Sequence, residues 1–591
     1  MIRVRTLALA LAFGFAALFA TDSVAAPRGV PGQITPQPRL FNQLSCKQLN
    51  TFKFRGGKIE KAEVVPAGTF MTPTTPSIAL PGLPKFCRVV GTAFPTADSR
   101  IGFEVWIPYD GSYRDRYLQV GNGGFSGDIV YIALAEGIRR GYATASTDDG
   151  SQTHGTAEFV LGHPEKVIDY GYRALKETTD KAKAIIRRVM DAPPERSYFH
   201  GCSNGGREAL MEAQRYPDDF DGIIVGAPAN YFTHQFAAFV WNTQRIYPPA
   251  SVIPRIPNSQ LHVLSNAVRA QCAGHDGGLA TDKFLTNPPA CHVDFAPMTC
   301  APGSPHGSCF TPDQIDIIQA IYEGPVRDDA SHAQVYPGFE PGAESHACNW
   351  GMWMTGKPVG SATCGPEGLP HVGLQALFGI GFFAYFVQGH PSYDIHTLNF
   401  ASDIDDADTR FAATLNSTDP DLRRFRAHRG KIIHYHGWDD AAVAARNSID
   451  YWGQVEARMK TFDPGFSRAD MNNFYRLFMA PGMSHCAGGP GATAFGNLFR
   501  GSAMDADHDV MLAMERWVED GVAPERIVAQ HLSEGVRDPY FERPLCVYPK
   551  LPKYNGAGDS KVAANWSCVA PLRFSRIRYP PEPIRRLPRP R

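Results

Sequence analysis

The chain has 591 residues, with 58 Lys and Arg against 59 Asp and Glu, and a formal net charge of −1. A balance so close to neutral, with no basic surplus, excludes a protein built around nucleic-acid binding and nominates no partner by electrostatics. The chain is long enough for a large globular fold.

At the N-terminus Arg3 and Arg5 precede an apolar run, Leu7 to Phe19, and then Val24-Ala25-Ala26. This order predicts a secretory signal over residues 1–26, cleaved after Ala26. The run is shorter than the roughly 20 residues of a spanning helix, so removal is favoured over a membrane anchor. No later segment is long and apolar enough to span a bilayer, so the mature protein is expected to be exported, either secreted or periplasmic. Residues 27–40 form an irregular Pro-rich lead.

Alternating strand and helix patterns follow in two blocks, 41–230 and 430–570. In the first, the strand Tyr117-Leu118-Gln119-Val120 runs into the loop Gly121-Asn122-Gly123-Gly124-Phe125-Ser126-Gly127. Ser197-Tyr198-Phe199-His200 has strand chemistry, and Glu208 to Tyr216 has helical spacing of Ala209, Leu210 and Ala213. Between them lies Gly201-Cys202-Ser203-Asn204-Gly205, a serine flanked by glycines where a strand turns into a helix. Such a turn is a nucleophile elbow: neighbours without side chains let the hydroxyl stand clear of the sheet. Residues 231–429 are different, rich in loops, with six of the 12 cysteines and an aromatic stretch from Phe378 to Phe386. The second block resumes with a strand, Lys431 to His436, ending at Gly437, then a strand Phe474 to Met479, and a helix Asp507 to Asp520 stopped by Gly521. The expected fold is therefore one α/β domain carrying a large insertion. Residues 571–591 read as a disordered basic tail.

Export gives the even cysteine count a disulfide meaning. The near neighbours Cys272/Cys291, Cys300/Cys309, Cys348/Cys364 and Cys546/Cys568 are candidate local staples, which leaves Cys46, Cys87, Cys202 and Cys486 for longer links.

A serine hydroxyl is a weak nucleophile and needs a histidine to take its proton and a carboxylate to orient that histidine. Asp440 follows a strand in His436-Gly437-Trp438-Asp439-Asp440, and His485 follows another in Pro481-Gly482-Met483-Ser484-His485-Cys486. The order Ser203, Asp440, His485 is that of an α/β-hydrolase. His154, His200, His434 and His436 read as structural side chains. Two donors must stabilise the oxyanion, and the N–H groups of Asn204 and of Gly124 in the early glycine loop are the candidates. That loop lacks a Walker lysine and misses the dinucleotide spacing, so a phosphate cradle is disfavoured.

At Gly-Cys-Ser-Asn-Gly-Gly-Arg (201–207), His-Gly-Trp-Asp-Asp (436–440) and Pro-Gly-Met-Ser-His-Cys-Ala-Gly-Gly (481–489), the chain resembles the tannase and feruloyl esterase family, which also includes mono(2-hydroxyethyl) terephthalate hydrolases. The resemblance covers residues 41 to 570. It implies an α/β-hydrolase fold with a disulfide-stapled lid at 231–429, Ser203 as nucleophile, Asp440 rather than Asp439 as acid, His485 as base, and a disulfide between Cys202 and Cys486. It also implies a lid calcium site, but the pattern is degraded: Asp276 and Asp282 remain, Ala273 stands where an aspartate is expected, and Lys283 adds a positive charge. No cofactor is expected for catalysis. The aromatic run, with Trp350 and Trp353, reads first as lid core and second as the wall of a pocket for a flat acyl group.

The function expected is a serine carboxylic-ester hydrolase acting on small aromatic esters of feruloyl or galloyl type through an acyl-enzyme. The alternatives are hydrolysis of a terephthalate monoester or another small ester on the same machinery, and a catalytically silent binding protein of the same fold.

Overall fold

β-Branched and aromatic residues at strand spacing build one ten-stranded mixed sheet. The computed structural model describes residues 43–305, 307–346, 349–356, 372–499, 505–532 and 539–570. The expected signal, the lead at 27–40, the Cys348/Cys364 staple and the tail at 571–591 lie outside the described residues.

In chain order the strands of the large sheet are β1 (Lys53–Phe54), β2 (Gly57–Val65), β3 (Phe86–Ala93), β4 (Ile101–Pro108), β5 (Arg116–Val120), β6 (Ala143–Thr147), β7 (Arg196–Cys202), β8 (Gly222–Gly226), β9 (Lys431–Gly437) and β10 (Tyr475–Ala480). Their spatial order is β1-β2-β3-β4-β6-β5-β7-β8-β9-β10. The pairs from β1 to β6 are antiparallel, and those from β6 through β5 to β10 are parallel. Every residue of β6, β8 and β10 is buried, as a parallel sheet covered on both faces requires. The architecture is that of an α/β-hydrolase.

Element boundaries depart from the sequence reading by a few residues, for local reasons. The helix expected from Glu208 begins at Asn204, immediately after the serine, because the turn from β7 takes up a single residue. The helix expected from Asp507 begins at Val510, because the Asp509 carboxylate accepts the N–H groups of Met511 (2.9 Å) and Leu512 (3.0 Å) and caps it. Gly521 ends that helix in the left-handed region, φ 73°.

The described residues between β8 and β9 carry helices and turns, among them Phe232–Ile246, Asn258–Cys272, Pro312–Glu323 and Leu374–Ile380. Their core is aromatic: Phe232, Phe236, Phe378, Phe382 and Phe386 are buried together and meet Phe125 and Tyr170 of the α/β domain. Each such ring contributes about 1.5–3 kcal/mol by burial. Most of the Phe378–Phe386 stretch is thus interior packing. Among the described residues, five disulfides join Cys46–Cys87, Cys202–Cys486, Cys272–Cys291, Cys300–Cys309 and Cys546–Cys568.

Candidate active site

Ser203 sits between β7 and its helix at φ 65°, ψ −123°, in the left-handed half of conformational space that non-glycine residues seldom occupy. Its N–H donates to the Gly226 carbonyl (3.0 Å) and its carbonyl accepts from Ala229 (3.0 Å), so the end of β8 holds the turn. The flanking glycines are obligatory by contact. A Cβ on Gly201 would lie 2.2 Å from the Gly205 oxygen, and one on Gly205 would lie 2.9 Å from the Asn122 oxygen. The elbow and the early glycine loop are therefore packed backbone to backbone, with the Gly205 N–H donating to the Asn122 carbonyl (2.7 Å).

Asp440 and His485, 45 residues apart, meet past the C-terminal ends of β9 and β10, where His485 Nδ1 lies 2.7 Å from Asp440 Oδ2. The other carboxylate oxygen accepts the N–H groups of Ala442 (2.8 Å) and Val443 (2.9 Å). Burial would raise the Asp440 pKa, but the charge of His485 and the hydrogen bonds from His436 and His485 hold it well below the usual carboxylate range. His485 Nε2 is buried and has no hydrogen-bond partner among the described residues, so it is the nitrogen left to accept a proton. The Cys202–Cys486 disulfide places the last residue of β7 and the residue after His485 at a Cα separation of 5.9 Å, across 284 residues of chain. Ser203 and His485 are the immediate neighbours of its two ends. Asp439, the adjacent carboxylate, turns the other way, 2.9 Å from His346 Nδ1 in the inserted block. Burial would lower the His346 pKa, but its bond to Asp439 raises it.

The two candidate oxyanion donors are braced to one another. Asn204 is the first residue of its helix, a position whose N–H has no acceptor within the helix. The Tyr170 hydroxyl lies 2.8 Å from the Gly124 carbonyl and 3.1 Å from Asn204 Oδ1, and donates between them. Glu208 accepts the Asn122 N–H (3.0 Å) and the Asn204 side-chain amide (2.7 Å). The fully buried Arg207 guanidinium donates to Asn204 Oδ1 (2.7 Å) and to the carbonyls of Gly171 (2.7 Å) and Tyr170 (2.9 Å). Burying a guanidinium costs several kcal/mol unless its donors are satisfied, and these bonds satisfy it. Tyr170, Arg207 and Glu208 were not legible as site residues from the sequence; only the arginine and its glycine-rich neighbourhood in the motif hinted at them.

An aromatic wall connects the two halves of the site. Trp353 lies edge-on to His485 (centroids 5.2 Å apart, 79° between planes) and stacks on Phe378 (6.1 Å), which in turn meets Phe125 (5.5 Å), the residue after Gly124. Of the histidines read as structural, His154 is bound to Asp128 (2.7 Å), and burial drives the pKa of His200 down to about 4.

The expected calcium ligands are used differently. Asp276 accepts backbone N–H groups of Gly278 (3.1 Å), Thr286 and Asn287 (3.1 Å). Asp282 accepts the Leu279 N–H (3.2 Å) and lies 3.3 Å from the guanidinium of Arg543. Donors and a fixed cation surround these carboxylates where calcium would need further oxygens, and the described residues contain no group of three or more His, Cys, Asp or Glu that could hold a metal. The residues present do not fit a calcium ion.

Residues 87–569 match the family model described as tannase and feruloyl esterase. The chain belongs to the tannase and feruloyl esterase family. Among curated relatives, an esterase of Xanthomonas campestris is 39% identical over 544 residues, covering 89% of this chain and 91% of that one. A protein named "probable feruloyl esterase B-2" of Neosartorya fischeri is 30% identical over 497 residues, covering 82% and 86%. Among solved structures, feruloyl esterase B of Aspergillus oryzae superposes with a TM-score of 0.79 at 26% identity, over 89% of this chain and all of that one. Tannin acyl hydrolase of Aspergillus niger, at 23% identity and a TM-score of 0.68, shares the fold over 90% and 95%. Like its family, this protein is a carboxylic-ester hydrolase, and no described helix is long and apolar enough to cross a membrane.

Because the turn at Ser203 and the loop of His485 are far apart in sequence, the Cys202–Cys486 link has a measurable consequence. Replacing both cysteines by serine is expected to destabilise the protein by about 2–4 kcal/mol. It should also lower kcat about 10–100-fold, through drift of the two loops. Denaturant unfolding and steady-state kinetics on the double variant check both, and an unchanged kcat would refute the clamp.

Proposed function

We propose that this protein is an exported serine esterase that cleaves esters of aromatic acids through an acyl-enzyme, with residues 231–429 as a lid over the site and residues 1–26 as the export signal. The observation that carries the reading is the Asp440–His485 bond, 2.7 Å, tied by the Cys202–Cys486 disulfide to the strained turn at Ser203.

Ser203 Oγ attacks the ester carbonyl carbon while His485 Nε2 takes its proton. Asp440 holds His485 with its proton on Nδ1 and stabilises the imidazolium. The negative charge that forms on the carbonyl oxygen is held by the N–H groups of Asn204 and Gly124, whose relative position the Tyr170 and Glu208 bonds maintain. Collapse of the tetrahedral intermediate expels the alcohol, which leaves with the proton from His485. Water then attacks the acyl-enzyme, gives its proton to His485, and a second collapse returns that proton to Ser203 and releases the acid.

The aromatic character of the acyl group is supported by the wall of Trp353, Phe378 and Phe125, which spans the distance from the base to the oxyanion loop. The relatives' names point the same way. The test is a panel of methyl ferulate, methyl gallate, a terephthalate monoester and short aliphatic nitrophenyl esters. The expected result is a kcat/KM at least about tenfold higher for one feruloyl or galloyl ester than for any aliphatic ester, a difference of about 1.4 kcal/mol in transition-state binding. Activity confined to the aliphatic esters would sink the aromatic reading, and preference for the terephthalate ester would reassign the acyl group.

A further inference from the structure

A second histidine lies against the carboxylate that serves His485. His436, wholly buried on β9, places Nε2 3.2 Å from Asp440 Oδ2, the same oxygen that His485 Nδ1 reaches at 2.7 Å. His436 Nε2 also lies 3.0 Å from the Val443 carbonyl. Both neighbours of Nε2 are acceptors, so this nitrogen carries a proton.

The other ring nitrogen is tied into a chain of buried polar groups. His436 Nδ1 lies 2.6 Å from Ser448 Oγ; Ser448 Oγ lies 2.8 Å from His434 Nε2; and His434 Nδ1 lies 2.8 Å from the Tyr475 hydroxyl. His434, His436 and Ser448 have no exposed surface. Every polar atom of the chain has a partner, so it is a complete network rather than a solitary buried imidazole, and leaving any member unpaired costs the desolvation of that group. Burial and the neighbouring His436 drive the His434 pKa far down. The titratable groups that face Asp440 are His436 from its own strand and loop, His485 from the loop after β10, and Tyr336 from the inserted block, whose phenol burial holds in its neutral form. Tyr475 of β10 faces His434 from the far end.

We propose that His436 is a positioning residue for the reaction: its Nε2–H fixes the Asp440 carboxylate and shares its charge, and so sets how strongly Asp440 pulls on the proton at His485 Nδ1. The inference rests on the triad reading above and goes one step further. The Ala442 and Val443 N–H groups hold Oδ1, so the carboxylate pivots about that oxygen, and among the described residues the two histidines define where Oδ2 points. With His436 removed, Oδ2 is held by His485 alone. Its charge then bears wholly on His485, which favours the imidazolium and leaves the carboxylate freer to swing.

Three variants test this. In His436→Phe the donor is lost and a larger, apolar ring takes its place; in His436→Gln the side-chain amide places a donor near the position of Nε2; in Ser448→Ala the ring is untouched but loses its support at Nδ1. His436→Phe is expected to lower kcat about 10–100-fold, the range set by one hydrogen bond to a charged group, with KM changed less than about twofold. The acidic limb of its kcat/KM profile is expected to move to higher pH. His436→Gln should recover most of kcat and return the limb toward its original place, and Ser448→Ala should move both in the direction of His436→Phe by a smaller amount. A folded His436→Phe with kcat and pH limb unchanged overturns the proposal. If that variant does not fold, a folded Ser448→Ala with kcat and pH limb both unchanged overturns the proposal instead. A Ser203→Ala control that kept its activity would instead refute the triad on which the proposal stands.

Discussion

Replacing Ser203 with alanine is expected to reduce kcat by about 10⁴–10⁶-fold on any ester the protein hydrolyses, while the fold and substrate binding stay close to those of the parent. Among the described residues the hydroxyl has no hydrogen bond that supports the fold: the turn, at φ 65°, is held by backbone bonds to Gly226 and Ala229 and by the packing of Gly205 against Gly121 and Asn122. Alanine can occupy the same backbone position at similar cost, so the loss should appear in turnover rather than in stability. The residual rate reports what oxyanion donors and binding provide without a nucleophile. A variant that retained more than about a tenth of the parental kcat would show that another group attacks the ester, and the site would have to be sought elsewhere.

Asp440→Asn is the second large effect, and its expected size is about 10⁴-fold in kcat, comparable to the same exchange in a serine-protease triad. Four N–H groups surround Asp440: those of Ala442 and Val443 at one oxygen, those of His485 and, at 3.2 Å, His436 at the other. An asparagine has one oxygen to offer. With that oxygen on the two backbone N–H groups, its amide must face two imidazole N–H groups, and His485 is driven to the tautomer that carries its proton on Nε2. In that form it cannot take the proton of Ser203. The change should leave KM within a few fold and should be visible as slow acylation in single-turnover kinetics. Asp439→Asn, on the carboxylate that faces His346, provides the contrast: equal losses from both exchanges would contradict the assignment of Asp440.

Much of this protein was legible before any tertiary contact was known. The strand before Gly201, the glycines around Ser203 and the helix formers after Glu208 are local signals, each set by backbone sterics or periodicity within a few residues. The short disulfides Cys272–Cys291, Cys300–Cys309 and Cys546–Cys568, with sequence separations of 19, 9 and 22, followed from proximity along the chain. The order of serine, aspartate and histidine was readable for the same reason, since each sits beside its own strand end. The aromatic stretch at Phe378–Phe386 carried two readings, core or pocket wall; packing put most of it in the core and left Phe378 as the link between Trp353 and Phe125.

What the sequence determined by itself was which residues stand at the ends of which strands, and hence the elbow, the candidate acid and the candidate base. The tertiary structure alone decided who touches whom across long separations. It brought Tyr170 under both Gly124 and Asn204, set Arg543 against Asp282 across 261 residues, and joined Cys46 to Cys87. It also turned His436, a residue with nothing in its local pattern to distinguish it from a satisfied core histidine, toward Asp440. The physical reason is that strand, turn and helix propensities act over a few residues, whereas a hydrogen bond between buried groups is set by how whole elements pack, which local sequence does not encode.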